Sequence, residues 1–127
     1  MNQGTWKVLS SSFDDALERL PAALAEQGFG IITRVDLGET LRTKLGKDVG
    51  RYLILGACNP AFAHEAVTRN PHVGVLLPCN VVLYERPDGK AVLGAIDPLQ
   101  SVGSDPAFAD IAGEIGGRLA TVLAAIA

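Results

Sequence analysis

The sequence has few of the features that commonly reveal a protein's function. Only two of its 127 residues are cysteine, 6% are aromatic and the formal net charge is −3. No cluster of lysine and arginine residues supplies the positive surface that binding to a nucleic-acid backbone requires. The chain also lacks the G-x-S-x-G, Walker A and dinucleotide-binding motifs. We therefore expect neither nucleic acid nor an anionic membrane surface among its partners.

The apolar segments are too short or too interrupted to span a bilayer. The first ten residues lack the basic start and apolar stretch of a signal peptide, so we expect a cytoplasmic protein. In the cytoplasm thiols are kept reduced, which disfavours a structural disulfide between Cys58 and Cys79. The length and the 48% hydrophobic content suit a single domain, residues 1–127, with one core.

Apolar periodicity predicts alternating strands and helices. Strands are expected at residues 5–9, 29–37, 51–57, 80–85 and 90–96, and helices at residues 12–28, 38–46, 60–69 and 106–126. The strand at 51–57 is apolar without alternation, which is typical of a strand buried on both faces. Pro21 should bend or split the first helix. The order β-α-β-(short α)-β-α-β-β-α predicts an α+β two-layer sandwich, with helices on one face of a mostly antiparallel sheet.

Two similar motifs carry the only cysteines: L-G-A-C-N-P at residues 55–60 and L-L-P-C-N-V at residues 76–81. Cys58 ends a predicted strand directly before a helix, where free backbone N–H groups favour a thiolate. Alternatively, it is a small buried residue without chemistry, and the same applies to Cys79. Asn59 is a good helix cap. Asn80 is poorly suited to a strand interior, so either a hydrogen bond between the motifs or a polar pocket would explain it.

A metal site is a further interpretation of the two motifs. Cys58, His64, His72 and Cys79 together form a Cys2His2 set, whose soft ligands suit zinc or copper(I). Their spacing matches no zinc-finger pattern, and His64 on a short helix is equally consistent with an exposed surface residue. A cis-proline beside a cysteine is typical of some redox domains, but here Pro78 precedes Cys79 without a C-x-x-C pair.

Four segments together carry a resemblance to a known family. They are D-L-G-E-T-L-R-T-K-L-G at 36–46, L-G-A-C-N-P at 55–60, L-L-P-C-N-V-V-L-Y-E at 76–85 and D-P at 97–98, before an alanine-rich last helix. The chain resembles the domain of unknown function 302 family over nearly its whole length. The resemblance implies a small α+β domain, often a homodimer, in a family whose biochemical role is not established. Thiol and metal roles have been suggested for the family's cysteines, but the resemblance assigns no catalytic residue to this chain.

Three functional hypotheses follow from these observations. We favour a homodimeric module that binds a small ligand or a soft metal in a pocket formed by Cys58, Asn59, Cys79 and Asn80. A second hypothesis is a structural or interaction domain in which both cysteines are buried and inert. The third is a thiol-redox enzyme with Cys58 as the nucleophile, activated by the helix dipole.

Overall fold

The computed structural model describes residues 2–127 and contains one five-stranded sheet. The strands are β1 (Gly4–Val8), β2 (Gly30–Asp36), β3 (Tyr52–Cys58), β4 (Cys79–Glu85) and β5 (Ala91–Ile96). The helices are α1 (Phe13–Glu26), α2 (Leu37–Leu45), α3 (Pro60–Arg69) and α4 (Ala109–Ala125). The strands lie in the order β1-β5-β4-β3-β2, and all neighbours are antiparallel. The predicted α+β fold and the predicted order of elements are confirmed.

Local sequence signals set the bounds of the first helices. The Ser12 hydroxyl accepts a hydrogen bond from the backbone N–H of Asp15 at 3.1 Å, which caps the start of α1. Gly28 follows α1 with a φ of 83°, and Gly46 follows α2 with a φ of 64°. Both glycines reverse the chain in the left-handed conformation that side chains disfavour. Pro21 lies inside a continuous α1, so the predicted split of this helix is wrong.

The core lies between one face of the sheet and the helices α1 and α4. Side chains alternate along each strand, so every second residue faces the helices. Leu53, Leu55, Val81, Leu83 and Leu93 on this face are each at most 3% exposed. Burial of these side chains supplies the main stabilisation of the fold.

The opposite face of the sheet is covered by neither α1 nor α4, and Trp6 and Val8 on it are 47% and 52% exposed. Tyr52 and Ile54 alternate with the buried leucines of β3 and are only half-buried. The prediction that β3 is buried on both faces is therefore wrong for the single chain. Its apolar pattern remains on a face that a neighbouring molecule is free to cover.

The end of the chain is attached to the first strand. The Lys7 ammonium group donates hydrogen bonds to the carbonyl oxygens of Leu123 at 3.1 Å and Ile126 at 2.7 Å. A cation at this position complements the negative end of the α4 dipole. Within residues 2–127, no helix combines the length and the apolar character needed to cross a membrane.

Candidate functional site: a cavity beside the two cysteines

A cavity of about 330 Å³ lies where β3 ends and β4 begins. Its wall includes the end of β3, the start of β4, part of α3 and the first turns of α4. Among the described residues, no charged side chain lines it. The apolar wall includes Phe29, Phe62, Leu77, Pro98, Ile111 and Ile115. Such a wall favours a ligand that is bound by burial of apolar surface.

Both cysteines line this cavity, as predicted for a shared pocket. Cys79 is paired with Ala57 across β3 and β4, which places it one residue from Cys58 in the register. Both are free, partly buried thiols. The Leu77–Pro78 peptide bond before Cys79 is cis, and Pro78 also lines the cavity. The structure thus brings together the two motifs that are separated by about twenty residues in the sequence.

The two thiols differ in their surroundings. Burial, and to a smaller extent repulsion from the neighbouring Cys58 sulfur, raise the pKa of the Cys79 thiol to about 11. Cys79 is therefore a neutral thiol near pH 7, which makes it a poor nucleophile. The reactivity of Cys58 proposed from its place before α3 stays a prediction.

Deprotonation of Cys79 should destabilise the fold at alkaline pH. Its pKa is raised from an ordinary value of 9.0 to about 11 in the folded chain, so the neutral thiol favours folding below pH 9. This contribution is lost as the pH rises from 9 through about 11, and we expect it to be on the order of 2 kcal/mol.

Urea denaturation at about pH 8 and about pH 11 measures the loss. Cys79→Ala should lose less stability over this interval than wild type, whereas Cys58→Ala should retain most of the loss. Equal losses in the wild type and in Cys79→Ala would contradict the assignment.

Asn59 is buried beside the cavity, but it does not cap α3 as predicted. Its side chain makes no capping hydrogen bond to the helix. Instead the Asn59 amide nitrogen donates to the Gln27 carbonyl oxygen at 3.3 Å. The Arg118 guanidinium donates to the same oxygen at 3.2 Å. Asn59 therefore connects the start of α3 to the end of α1 and lines the cavity beside α3.

The remaining predicted site residues lie elsewhere. Asn80 is exposed and is paired with Gly56 on the face of the sheet that neither α1 nor α4 covers. Asn80 points away from Cys79 and is not among the residues that line the cavity. The inclusion of Asn80 in the pocket is wrong. Within residues 2–127, no side-chain hydrogen bond links the two motifs, and the Asn59 amide bonds to Gln27 instead.

The predicted Cys2His2 metal set is not assembled. His64 on α3 and His72 in the turn after it are both exposed, and neither lines the cavity with the two cysteines. In the part of the chain that the structure describes, no three side chains of histidine, cysteine, aspartate or glutamate lie together as metal ligands. The prediction that these four residues form a zinc or copper site is therefore wrong.

Sequence reasoning missed most of the cavity wall. Ile111 and Ile115 recur at helical spacing along α4, a pattern that predicts only burial. Phe62 of α3 and Phe29 before β2 carried no signal that distinguishes a cavity wall from a filled core. A cavity wall differs from a filled core only in how the ends of the helices lie against the edge of the sheet in three dimensions.

The fold and the cavity define a small α+β domain with two thiols beside an apolar pocket. The family model described as "Domain of unknown function DUF302" matches residues 6–126. The chain therefore belongs to this family, as its motifs predicted.

A solved structure supports the same assignment. The chain is similar to an uncharacterized conserved protein DUF302 from Bacillus stearothermophilus, whose crystal structure aligns with a TM-score of 0.89. The two sequences are 32% identical, and the alignment covers 97% of each chain. The chain matches none of the curated proteins.

Proposed function

We propose that the chain is a small-ligand-binding module that holds an apolar molecule in the cavity beside Cys58 and Cys79. The observation that supports this proposal is a cavity of about 330 Å³ with an apolar wall. A dry cavity of roughly 150 Å³ in another protein binds benzene, so this one accommodates about two fused rings or a short acyl chain. Its size also falls in the ordinary range of ligand pockets.

The wall explains why binding is the favoured activity. A ligand entering the cavity gains mainly by removing apolar surface from water, since no charged side chain of the described residues lines it. The neutral Cys79 thiol adds a polarizable surface rather than a negative charge. Shape and apolar area should therefore control affinity.

Filling the cavity should abolish binding of a neutral fluorescent probe. N-phenyl-1-naphthylamine should bind to the wild-type protein with an increase in fluorescence. Ala63 lines the cavity, so Ala63→Phe should weaken this binding at least about tenfold by occupying the space. Ala61 lies on the same helix but is exposed and does not line the cavity, so Ala61→Phe is the matched control. A wild-type protein that binds no probe, or equal binding by the two variants, would contradict the proposal.

We also propose that the module is a homodimer joined through the face of the sheet that neither α1 nor α4 covers, here called the open face. The described strand residues of the open face include no charged side chain, according to the alternation and register of the five strands. Its larger side chains are Trp6, Val8, Val35, Tyr52, Ile54, Val82, Tyr84 and Val92. Solvated sheet faces are normally polar, whereas contiguous apolar patches mark interaction sites.

Aromatic rings occupy the middle of the open face. Trp6 lies against Gly94, where a side chain would collide with the indole ring. Its ring meets the Tyr84 ring edge-on at 6.1 Å, and Tyr84 stacks on Tyr52 at 5.4 Å. Trp6 is nevertheless 47% exposed.

A second copy of the chain is the occupant that these observations favour. A symmetric dimer needs one self-complementary patch, and two apolar sheet faces pack well against each other. The apolar pattern of β3, which predicts burial on both faces, is then satisfied in the dimer.

A further inference from the structure

We infer that the ligand is an uncharged, mainly apolar molecule that carries a hydroxyl or N–H group and donates a hydrogen bond to the side-chain oxygen of Asn59. This inference rests on the proposed ligand-binding function, because it concerns the same cavity. It adds the chemical class of the ligand and the residue that selects it.

The orientation of the Asn59 amide is fixed by its neighbour. Its nitrogen lies 3.3 Å from the Gln27 carbonyl oxygen, which accepts but cannot donate a hydrogen bond. The amide nitrogen must therefore face Gln27, and the amide oxygen is the atom left for another partner.

The Asn59 side chain presents a hydrogen-bond acceptor that no donor within residues 2–127 satisfies. Asn59 is only 8% exposed, and no group within residues 2–127 donates a hydrogen bond to its Oδ1. Among the described side chains, the only polar atom sealed from solvent without a partner is Ser11 Oγ. Asn59 Oδ1 is not sealed in this way, so it is in contact with a solvent-accessible space. Because Asn59 lines the cavity, we take the cavity to be that space.

This acceptor makes the cavity selective. Before a ligand binds, water is able to donate to the Asn59 oxygen, and a ligand displaces that water. A ligand with a donor replaces the lost hydrogen bond, whereas one without a donor leaves a buried acceptor unsatisfied. The cysteines are weak donors and do not supply a substitute. A site that presents a hydrogen-bonding group rejects analogues that lack the matching group.

A charged ligand is disfavoured by the same wall. The lining contains no charged side chain within the described residues, so an ionised ligand would lose its hydration without gaining an ion pair. The ligand should therefore be neutral, such as an alcohol, a phenol or an aromatic N–H compound.

Three naphthalene derivatives test this assignment by displacement of N-phenyl-1-naphthylamine. 1-Naphthol offers a donor, 1-methoxynaphthalene has similar shape without one, and 1-naphthoate is charged. Wild type should bind 1-naphthol roughly 3- to 10-fold more tightly than 1-methoxynaphthalene, which is the difference expected for one buried hydrogen bond. It should bind 1-naphthoate more weakly than either. Equal affinities for the first two compounds would overturn the inference while leaving the cavity function intact.

A substitution of Asn59 tests whether this residue causes the preference for 1-naphthol over 1-methoxynaphthalene. Asn59→Leu should bind 1-methoxynaphthalene about as well as wild type but should lose the preference for 1-naphthol. The Gln27 carbonyl keeps its hydrogen bond from Arg118 in this variant, which limits the structural change. A preference that persists in folded Asn59→Leu would overturn the inference, and the wild-type comparison stands on its own if the variant does not fold. Failure of every compound to bind would instead overturn the proposed function.

Discussion

Replacing Val82 with glutamate should produce a folded monomer under conditions in which the wild-type chain is a dimer. Val82 lies in the middle of the open face, with Ile54 beside it on β3 and Gly94 beside it on β5. In a single chain the new carboxylate would reach water at little cost. In the dimer it would be buried without a cationic partner, which costs several kcal/mol. We expect the association to weaken at least about a hundredfold.

Sedimentation velocity over a range of concentrations measures this change, because a single chain has a mass of 13.3 kDa. Val67→Glu is the matched control. Val67 is 44% exposed on α3, away from the open face. It introduces the same charge in place of the same residue, so it should leave the dimer intact.

Trp6 gives an independent signal for the same interface. It is the only tryptophan in the chain and lies on the open face. Its fluorescence should shift to longer wavelength in Val82→Glu, since the indole ring would return to water, and should stay unchanged in Val67→Glu. A wild-type chain that sediments as a monomer at about the micromolar range would end the dimer proposal. A dimeric Val82→Glu with unchanged fluorescence would exclude the open face as the interface.

The order of strands and helices was predictable because its signals are local. The Ser12 cap lies within four residues of the groups it organises, and the glycines at 28 and 46 each end a helix through their own φ angle. Apolar periodicity over ten or more residues distinguishes strand from helix without knowledge of the fold. These features are present in the isolated segments, so the sequence reports them directly.

The candidate site was predictable only in part. The shared position of Cys58 and Cys79 followed from two similar motifs at the ends of strands. The side of the sheet that each residue faces depends on the register of the strands. The register places Asn80 on the open face, away from the predicted pocket. The Asn59 side chain bonds to Gln27, a residue 32 positions away, in preference to its own helix. The partner of the Asn59 side chain depends on the position of the end of α1 in the folded chain, and no local sequence pattern predicts that position.

The apolar pattern of β3 predicts burial on both faces of the sheet, and this prediction fails for the single chain. An apolar strand is normally covered on both faces. In this chain the helices cover one face, and Tyr52 and Ile54 remain half-buried on the other. This uncovered apolar pattern is the reason why we propose the open face as the dimer interface.

Gly56→Ala should strongly destabilise the fold. Gly56 lies in β3, and a side chain there would collide with the Thr33 hydroxyl and would come within 2.6 Å of Pro78 Cγ. The irregular register between Ile31 and Thr33 brings β2 this close to β3. We expect a loss of about 1–3 kcal/mol in the free energy of unfolding, because the Thr33 hydroxyl and the Pro78 ring must both move to admit the new methyl group. Urea denaturation measures it.

The control is a glycine in the adjacent strand. Gly30 has no atom within 4 Å of the position of an added side chain, so Gly30→Ala should change stability by no more than about 0.5 kcal/mol. Thr33→Ala in the Gly56→Ala background should recover part of the loss by removing the hydroxyl from the collision. Equal stability of Gly56→Ala and Gly30→Ala would show that β2 and Pro78 yield freely.

The effect should extend from stability to the cavity. Pro78 lines the cavity beside Cys79, and relief of the Gly56→Ala collision requires Pro78 or β2 to move. A shift of Pro78 changes the cavity wall, so this variant should also bind N-phenyl-1-naphthylamine more weakly at temperatures where it is fully folded. Gly30→Ala should bind as wild type. Reduced stability with unaltered probe binding would show that the collision is relieved without any change in the cavity wall.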